Sequence, residues 1–514
     1  SFSQATLVSV NHFLVLQKLK ALEIEAQENK NNGLQIPERT MARDMKRASI
    51  VIQGASRITE TDENFVCATL DWWPHDKCNY DNCPWGYSSV INMDLSRPLL
   101  TKAIQAFKPL RIRIGGSLQD QVIYDVGNLQ TPCHPFRKMS SGLAIVTFGL
   151  NALHGRHKLR GNAWGGAWNH VNTQDFINYT LSGTGVGASV SAELYGKDVI
   201  VLRDIIDKMY KDSKLTKPSL VAPGGFYEQQ WYTKLLEISG PDVVDVVTHH
   251  IYNLGSGNDP QLVKKILDPS YLSRVAETFK NVNKTIQEHG PWASPWVGES
   301  GGAYNSGGRR VSDTFIDSFW YLDQLGMSSK HNTKVYCRQT LVGGFYGLLE
   351  KGTALLWHRL MGKGVLAVQT DGPPQLRVYA HCSKGREGVT LLLINLSNQS
   401  DFTVSVSNGV NMALNVESKP KKKSLLDTLK KPFSWIGNKA SDGYLNREEY
   451  HLTPENGELR SKTMVLNGKP LKPTETGDIP NLEPVIRGVN SPVCVSSLSM
   501  SFIVLPSFDA SACS

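Results

Sequence analysis

The stretch PWVGESGG, residues 295–302, decides the fold of this chain. An apolar run stops at one carboxylate, Glu299, and glycines follow at once, which is typical of a buried parallel strand that ends at the loop face of an α/β barrel. Catalytic residues of such barrels lie at that face. The stretch therefore predicts a (β/α)8 TIM-type barrel with Glu299 as a candidate catalytic residue.

Apolar runs alternate with amphipathic stretches from residue 64 onwards, as expected for parallel strands joined by helices. The predicted strands are 64–71, 110–116, 144–151, 219–223, 243–251, 295–299 and 334–339. The predicted helices are 96–107, 172–180, 191–212, 226–238, 271–289, 311–326 and 349–361. The glycine-rich segment 181–190 is too short for a strand and its two loops, so we expect a barrel that lacks strand 4. A non-barrel α/β fold, or a weak strand within 186–190, would also explain the count.

The pattern of apolar and polar residues changes after residue 361. We therefore expect the barrel to occupy residues 48–361. Short β-type runs separated by turn residues predict a C-terminal β-sandwich over 362–514, with a polar surface excursion at 408–462. Residues 49–53 are a further β-type run that can join this sandwich. Residues 1–47 end in a charged run and are expected to form a disordered or helical extension.

Composition excludes several classes of protein. Hydrophobic residues make up 40 % and charged residues 20 % of the 514, and no apolar run approaches the length of a membrane span. The net charge of +8 is mild, and nothing else supports nucleic-acid binding. Part of this positive charge comes from the lysine-rich segment 419–431, which is interpreted as a solvated loop. The alternative is a docking patch for an anionic polysaccharide or a membrane surface.

Cysteines and glycosylation sequons favour a secreted glycoprotein. The eight cysteines lack the paired spacing of a zinc site, and Cys78 and Cys83 flank a loop short enough for one disulfide. Sequons begin at Asn178, Asn283 and two nearby positions, Asn395 and Asn398. No signal peptide is visible, but we expect an extracellular, cell-wall or vacuolar protein, with peripheral membrane association as a further option. No metal and no cofactor are expected.

Polar and aromatic residues follow several predicted strands at the same face as Glu299. They are Asp71 with Trp72 and Trp73, the segment 115–117, the pair Arg338 and Gln339, and His249, His250 and Tyr252. Carboxylates and aromatic rings together suit a sugar. Alternation along the strand sends the two histidines to opposite sides, which argues against a two-histidine metal site. Tyr252 is expected to hydrogen-bond Glu299.

Long motifs of the chain resemble the plant heparanase-like proteins of glycoside hydrolase family 79. The motifs are 110–117 (LRIRIGGS), 185–188 (GVGA) with 192–198 (AELYGKD), 248–252 (THHIY) and 296–304 (WVGESGGAY). The resemblance implies a (β/α)8 barrel with a β-sandwich and a retaining β-glucuronidase activity. It implies that Glu299 is the nucleophile, with Tyr252 beside it. By the same resemblance, Asp71 and Ser117 lie near the sugar hydroxyls, and the uronate carboxylate is surrounded by Tyr304, Gly307 and Tyr346.

The chain departs from the family at the second catalytic carboxylate. In the family, a strand that ends in Trp-Glu-Leu-Gly-Asn-Glu carries the acid/base just before the segment that matches 181–188, whereas here residues 176–180 run directly into Leu181. Neither Glu193 nor Asp175 is expected to substitute. We therefore expect an impaired hydrolase for glucuronic-acid-containing glycans or small-molecule glucuronides. The alternatives are an incompletely spliced form of such a hydrolase, a carbohydrate-binding protein without turnover and a product that cannot close its barrel.

Overall fold

Two sheets organise the part of the chain that the computed structural model describes, residues 44–123, 144–174, 190–349, 352–409, 446–474 and 478–514. The chain begins with β1 (Asp44–Glu60), which belongs to the second sheet. The strands that follow, up to residue 338, are β2 (Val66–Asp71), β3 (Leu110–Gly115), β4 (Ala144–Phe148), β5 (His157–Lys158), β6 (Trp164–Gly165), β7 (Val221–Ala222), β8 (Val246–Ile251), β9 (Gly255–Ser256), β10 (Ser294–Ser300), β11 (Ala303–Tyr304) and β12 (Val335–Arg338).

Seven of these strands form one parallel sheet, in the order β4-β3-β2-β12-β10-β8-β7. They are the seven strands predicted from the sequence, with ends that differ by a few residues. Parallel register brings all their carboxyl ends to one edge of the sheet, which is where Asp71 and Glu299 lie. Within the described ranges, β4 and β7 are the two ends of the sheet.

Helices connect most of these strands, as the amphipathic stretches predicted. They are α1 (Pro98–Gln105), α2 (Ala192–Tyr210), α3 (Gln229–Ser239), α4 (Leu262–Leu267), α5 (Pro269–Ser273), α6 (Val275–His289), α7 (Asp317–Lys330) and α8 (Gly352–Leu360). The predicted helix 271–289 is two helices, and its first turn begins earlier because Asp268 caps the backbone N–H groups of Ser270 and Tyr271. Of the predicted helix 172–180, residues 172–174 are helical and the rest lies outside the described residues.

The second sheet has eleven strands among the described residues and contains β1 together with the C-terminal strands. These are β13 (Met361–Thr370), β14 (Leu376–Ser383), β15 (Val389–Asn395), β16 (Ser400–Asn408), β17 (Asn446–Pro454), β18 (Met464–Leu466), β19 (Lys469–Pro470), β20 (Val485–Gly488), β21 (Val493–Val495) and β22 (Ser499–Leu505). Strand β1 pairs antiparallel with β13, with Ile50 opposite Thr370, so residues 49–53 do join this sheet. The strand begins at Asp44, a few residues before the predicted end of the extension at 47.

Strand β17 corrects the prediction that all of 408–462 is a surface excursion. It lies between β18 and β22, well inside the sheet. Its sequence looks polar because it buries charges: the Arg447 guanidinium donates to Glu449 at 2.7 Å and to three backbone carbonyls between Gly488 and Ser491. Residues 410–445, with the lysine-rich run, lie outside the described residues, as do 1–43.

Helix α7 packs the two sheets together. Nearly all of its residues are buried, and one apolar cluster contains Phe319 and Trp320 of α7 together with Leu392 and Phe502 of the second sheet. A Cβ atom at Gly326 would meet the Tyr379 ring at 2.3 Å, so glycine is what lets β14 approach the helix. The parallel sheet, whose carboxyl edge carries Asp71 and Glu299, is therefore supported by an apolar core that it shares with the second sheet.

Three disulfides are present among the described residues: Cys78–Cys83, as predicted, Cys67–Cys337 and Cys382–Cys513. Cys67 and Cys337 face each other on the adjacent strands β2 and β12. The sequon at Asn395 cannot be glycosylated in this fold, because the side chain is fully buried and its amide donates to the carbonyls of Ser400 and Ser496. Asn398 is exposed. No helix in the described ranges is long and apolar enough to cross a membrane.

Candidate active site

Glu299 lies near the carboxyl end of β10, and both of its carboxylate oxygens accept hydrogen bonds. The Tyr252 hydroxyl donates to Oε1 at 2.6 Å, which is the contact expected from the sequence, and Arg113 Nη1 donates to Oε2 at 2.7 Å. The side chain of Arg113 is 6 % exposed and that of Glu299 is 13 % exposed. A carboxylate held from two sides in this way has a fixed orientation and needs no further side chain to place it.

The surroundings of Glu299 keep it ionised. Burial raises the pKa of this carboxyl, but His250, Arg113 and the hydrogen bond from Tyr252 outweigh burial and hold the pKa below its ordinary value. His250 Nδ1 is 3.9 Å from Oε2, and burial lowers the pKa of His250 to about 4. Because this ring is neutral at pH 7, Arg113 is the cation that stabilises the carboxylate under physiological conditions.

Asp71, at the end of β2, has the opposite electrostatic character. Its Oδ2 accepts hydrogen bonds from Gln339 Nε2 at 2.6 Å and from Trp73 Nε1 at 2.8 Å, and its Oδ1 has no partner among the described residues. Burial, followed by the negative charge of Glu299, raises the pKa of Asp71 to about 7. The two carboxyls therefore share one site, with Glu299 ionised and Asp71 largely protonated up to neutral pH.

Two tyrosines line the wall between Glu299 and the loop that follows it. A Cβ atom at Gly301 would lie 2.7 Å from the Tyr252 ring and 3.0 Å from the Tyr346 ring, so only glycine fits at this position. Burial first, and then nearby carboxylates, raise the pKa of Tyr252 and of Tyr346 well above the ordinary value. Both phenols therefore remain protonated and able to donate hydrogen bonds.

The loop after β10 carries Tyr304 and Gly307. The consecutive residues Asn305, Ser306 and Gly307 all have positive φ angles, of 58°, 71° and 80°, and turn the chain back against Tyr346. The Gly307 N–H has no hydrogen-bond partner in the described part of the chain. Tyr304 is 43 % exposed. Backbone held in this region by its surroundings is characteristic of ligand-binding loops.

The segment 115–117 supports Asp71 from the side. A Cβ atom at Gly116, where φ is 91°, would lie 2.6 Å from the Asp71 carboxyl carbon, so a larger residue would displace the carboxyl group. The backbone of Ser117 starts a short 3-10 helix directly after this glycine. The side chain of Ser117 lies outside the described part of the structure.

Of the other residues at strand ends, some contact the carboxyls of the site and others have a structural role. Gln339 and Trp73 bind Asp71, whereas Arg338 forms a fully buried ion pair with Asp317. His249 packs against Phe279 and His250 lies near Glu299, so the two histidines point to opposite sides as predicted. Glu193 is exposed in the first turn of α2, and Asp175 lies outside the described residues.

Comparison with known proteins assigns this chain to a family. The Glycosyl hydrolase family 79, N-terminal domain, matches residues 47–144 and 141–326, more than half of the chain. The chain belongs to glycoside hydrolase family 79. Heparanase-like protein 1 of Arabidopsis thaliana is 79 % identical over 94 % of this chain and 97 % of its own, and the baicalin-beta-D-glucuronidase of Scutellaria baicalensis is 35 % identical over 87 % and 90 %. This likeness indicates a plant glycoside hydrolase.

The solved structure of a 4-O-alpha-L-rhamnosyl-beta-D-glucuronidase from Fusarium oxysporum superposes with a TM-score of 0.57 at 14 % identity. It covers 89 % of this chain and 100 % of that one. The fold is thus that of TIM-barrel glycosidases, and the parallel sheet fits a partial barrel of this kind.

The alignment with the Arabidopsis relative also shows that this chain is shorter than the relative at internal positions. The aligned region has 529 positions, more than the 514 residues of this chain, although it takes in only 94 % of them. The relative therefore has a few dozen internal positions that have no counterpart here.

Arg113 is the residue of the site that sequence reasoning missed. It lies in the motif LRIRIG, and a strand-interior arginine needs a buried anionic partner. That signal was present in the sequence. The partner, Glu299, is 186 residues further along the chain, and only the fold brings the two together.

Proposed function

We propose that this family 79 chain is a heparanase-like retaining glycosidase for β-glucuronide linkages, with Glu299 as the nucleophile. The observation that carries the proposal is the state of Glu299: a carboxylate at a barrel strand end, ionised by Arg113 and oriented by Tyr252. An ionised, fixed carboxylate is what attack on an anomeric carbon requires. The likeness to proteins named heparanase and glucuronidase points to a glucuronic-acid substrate.

The other residues of the site are assigned to the sugar. Asp71, with one unpartnered oxygen and a largely protonated carboxyl, hydrogen-bonds a sugar hydroxyl, and Ser117 lies close to the same hydroxyls. Tyr252 positions the nucleophile. The uronate carboxylate is held by Tyr304, Tyr346 and the unbonded N–H of Gly307. Phenols that stay protonated can donate to that carboxylate without repelling it.

We further propose that strand 4 of the barrel and the acid/base glutamate are deleted at the junction of Thr180 and Leu181. Three observations support the deletion: the internal positions that the Arabidopsis relative has and this chain lacks, the count of seven parallel strands among the described residues, and the exposure of β4. In β4, at one end of the sheet, Val146 is 48 % exposed, whereas all of β2 is buried. A strand inside a complete barrel would have a neighbour there.

The deletion would impair the chemistry selectively. In a retaining mechanism the acid protonates the leaving oxygen and then activates water as a base. Without it, the loss is about 10²- to 10⁴-fold and greatest for poor leaving groups. A phenolic glucuronide would still transfer its sugar to Glu299, because a phenolate leaves without a proton. An alkyl-linked glycan would not.

A second candidate function is binding of uronate sugars without turnover. It is favoured by Asp71, the other carboxyl of the described site, because two hydrogen bonds fix it as a ligand for a hydroxyl. Binding needs the pocket alone, whereas hydrolysis also needs a proton donor placed at the leaving oxygen, and Asp71 is assigned to a sugar hydroxyl instead.

Hydrolysis of 4-methylumbelliferyl β-D-glucuronide, together with calorimetric binding of glucuronic acid, tests the proposal. We expect slow release of the fluorophore, at least a hundredfold slower release by Glu299→Gln, and no reaction with the matching β-D-glucoside. Binding without any release would establish the second candidate. A protein that neither binds glucuronic acid nor cleaves the glucuronide would refute both.

The architecture of the second sheet and the location of the protein are also proposed. We propose that the second sheet folds as a β-sandwich, supported by separate apolar clusters that contain Leu392 and Leu391, which alternate along β15. We also propose a secreted, extracellular, cell-wall or vacuolar glycoprotein, with peripheral membrane association as an option. The three disulfides and the exposed sequon at Asn398 support this location, and loss of one glycan mass in the Asn398→Gln variant would test it.

A further inference from the structure

The loop that follows β7, residues 223–228, places an exposed aromatic side chain at the catalytic edge of the parallel sheet. Phe226 is 67 % exposed, whereas the other described phenylalanines are buried or half-buried. Single exposed apolar residues are common on protein surfaces, so exposure alone assigns no role. The role of this ring follows from its position and from the backbone that supports it.

One side chain separates Phe226 from the proposed nucleophile. The Phe226 ring packs against the ring of Tyr252 in a T-shaped pair, with 6.3 Å between the ring centroids and 66° between the planes. The Tyr252 hydroxyl in turn donates to Glu299 Oε1 at 2.6 Å. A group bound to the exposed part of the Phe226 ring therefore adjoins the candidate active site.

The backbone on both sides of Phe226 is held in place before any ligand binds. Phe226 forms a parallel bridge with His250, whose backbone N–H donates to the Gly225 carbonyl at 2.7 Å. On the other side, the Glu228 carboxylate caps α3 and accepts a hydrogen bond from the backbone N–H of Trp231 at 2.7 Å. An aromatic ring on a fixed backbone has few rotatable bonds, so it loses little entropy when it binds a ligand.

The order of the strands decides which part of a substrate reaches this ring. Within the described residues the parallel sheet ends at β7 on one side, and the proposed deletion places the lost acid/base on a strand next to β7. In a retaining mechanism that acid faces the leaving oxygen. The leaving group therefore points towards the loop after β7, which carries Phe226. Asp71, which is assigned to a sugar hydroxyl, lies at the end of β2, on the opposite side of β10.

The proposed chemistry restricts the leaving group to a class that suits this ring. Without a proton donor, the sugar transfers to Glu299 only from an aglycone that leaves as a stable anion, and a phenolate is such an anion. Aromatic rings bind one another in offset-stacked or T-shaped pairs, with a gain beyond the area that they bury. An exposed phenylalanine beside the leaving oxygen therefore suits a planar phenol, whereas it offers no hydrogen bond to the hydroxyl groups of a sugar.

We propose that Phe226 is a specificity-determining residue that binds the aromatic aglycone of a phenolic glucuronide. This inference rests on the proposed function and specifies its substrate class on the leaving-group side of the bond. The aglycone ring packs on the exposed part of Phe226, while Tyr252 holds Glu299 and the uronate occupies the sugar site. Phe226 transfers no proton, so it acts on affinity and selectivity.

The test measures, by calorimetry, how tightly the full chain binds S-linked glucuronides, which resist hydrolysis. The ligands are methyl and phenyl 1-thio-β-D-glucuronide and the S-linked disaccharide in which glucose takes the place of the phenol. We expect the phenyl ligand to bind about fivefold tighter than the methyl ligand, and the disaccharide to show a smaller gain. A disaccharide that gains more than the phenyl ligand would overturn the aromatic assignment.

Variants assign this gain to Phe226. The ratio of phenyl to methyl affinity should fall to about one in Phe226→Ala, remain in part in Phe226→Leu and remain for the most part in Phe226→Tyr. A ratio taken within one protein cancels any change at the sugar site. The control is Tyr87→Ala, a residue that is 74 % exposed in the loop after β2, and it should keep the full ratio. A ratio near one in the unaltered chain, or an unchanged ratio in Phe226→Ala, would overturn the inference.

The outcomes separate this inference from the function on which it rests. If the affinity ratio depends on Phe226 but 4-methylumbelliferyl β-D-glucuronide is not cleaved, the aromatic site stands and the hydrolase fails in favour of binding without turnover. If the aryl glucuronide is cleaved and Phe226→Ala leaves the ratio unchanged, the function stands and the inference fails. A chain that binds none of these ligands would refute both.

Discussion

At the scale of single residues, the site depends on two carboxyls that share a cavity in different protonation states. Glu299 could be predicted because a carboxylate between an apolar run and glycines marks the end of a barrel strand. Asp71 followed from the same logic at β2. Arg113 could not be paired in advance, since its partner is distant in sequence and their contact depends on the curvature of the sheet.

Removing the charge of Arg113 should shift the pH dependence of the reaction. With Arg113→Met, the pKa of Glu299 rises because the guanidinium no longer helps to offset burial, so the acidic limb of kcat/KM for an aryl glucuronide moves to higher pH. Arg113→Lys keeps a cation and should move the limb less. An acidic limb at the same pH in all three proteins would show that Arg113 does not stabilise the carboxylate.

The raised pKa of Asp71 predicts a pH-dependent effect on stability. Below the unfolded-state value of 3.8 both states bind the proton, whereas between there and about 7 the unfolded chain releases it first, so the native state loses stability as pH rises. Asp71→Asn removes that loss and can keep the hydrogen bonds from Gln339 and Trp73. Relative to the unaltered protein, its free energy of unfolding in urea should therefore rise between pH 5 and pH 8, on the order of 2 kcal/mol.

The exposed Asp212→Asn variant is the control for this titration. The free energy of unfolding of this variant should differ from that of the unaltered protein by the same amount at pH 5 and at pH 8. An Asp71→Asn effect that is the same at pH 5 and pH 8 would mean that Asp71 is ionised in the folded protein throughout.

At the scale of elements, the mainly apolar strands were predictable and the charged strand β17 was not. The seven strands of the parallel sheet are short, mainly apolar runs between turn residues, and this pattern is recognisable in the sequence. Strand β17 was mistaken for a surface segment because Arg447 and Glu449 neutralise each other inside the sheet, a pairing that hydrophobicity patterns do not reveal. The predicted helix 271–289 contains a cap and a break at Asp268 and Arg274 that only local geometry shows.

Two disulfides of the barrel region should differ strongly in their contribution to stability. Cys67–Cys337 joins adjacent strands 270 residues apart in sequence, whereas Cys78–Cys83 closes a loop with a separation of 5. In the chain-entropy description the first is worth about 5 kcal/mol and the second about 2 kcal/mol. Thermal unfolding of the two double cysteine-to-alanine variants should show a markedly larger fall in Tm for Cys67 and Cys337. Equal falls would mean that strand pairing alone holds β2 to β12.

At the scale of the whole molecule, the chain joins a parallel sheet, which within the described residues ends at β4 and β7, to an antiparallel sheet through a shared core. The barrel class and the attachment of residues 49–53 to the second sheet could be read from the sequence, because both rest on apolar runs. What lies between β4 and β7 could not be settled this way, since closure of a barrel depends on strand number, tilt and stagger together. Loss of the strand would remove one catalytic group and leave the opposite wall, with Glu299, Tyr252 and Asp71, in place.

The proposed enzyme has its nucleophile, Glu299, and lacks the acid/base that would transfer protons. The most direct measurement is the turnover of an activated aryl β-glucuronide with and without sodium azide, with the product identified. We predict that azide accelerates turnover and yields β-glucuronosyl azide, because a covalent sugar on Glu299 lacks a base to activate water but is open to an anionic nucleophile. Turnover unaffected by azide, with alkyl glucuronides cleaved as readily as aryl ones, would show that a working acid/base faces Glu299 and would contradict the account.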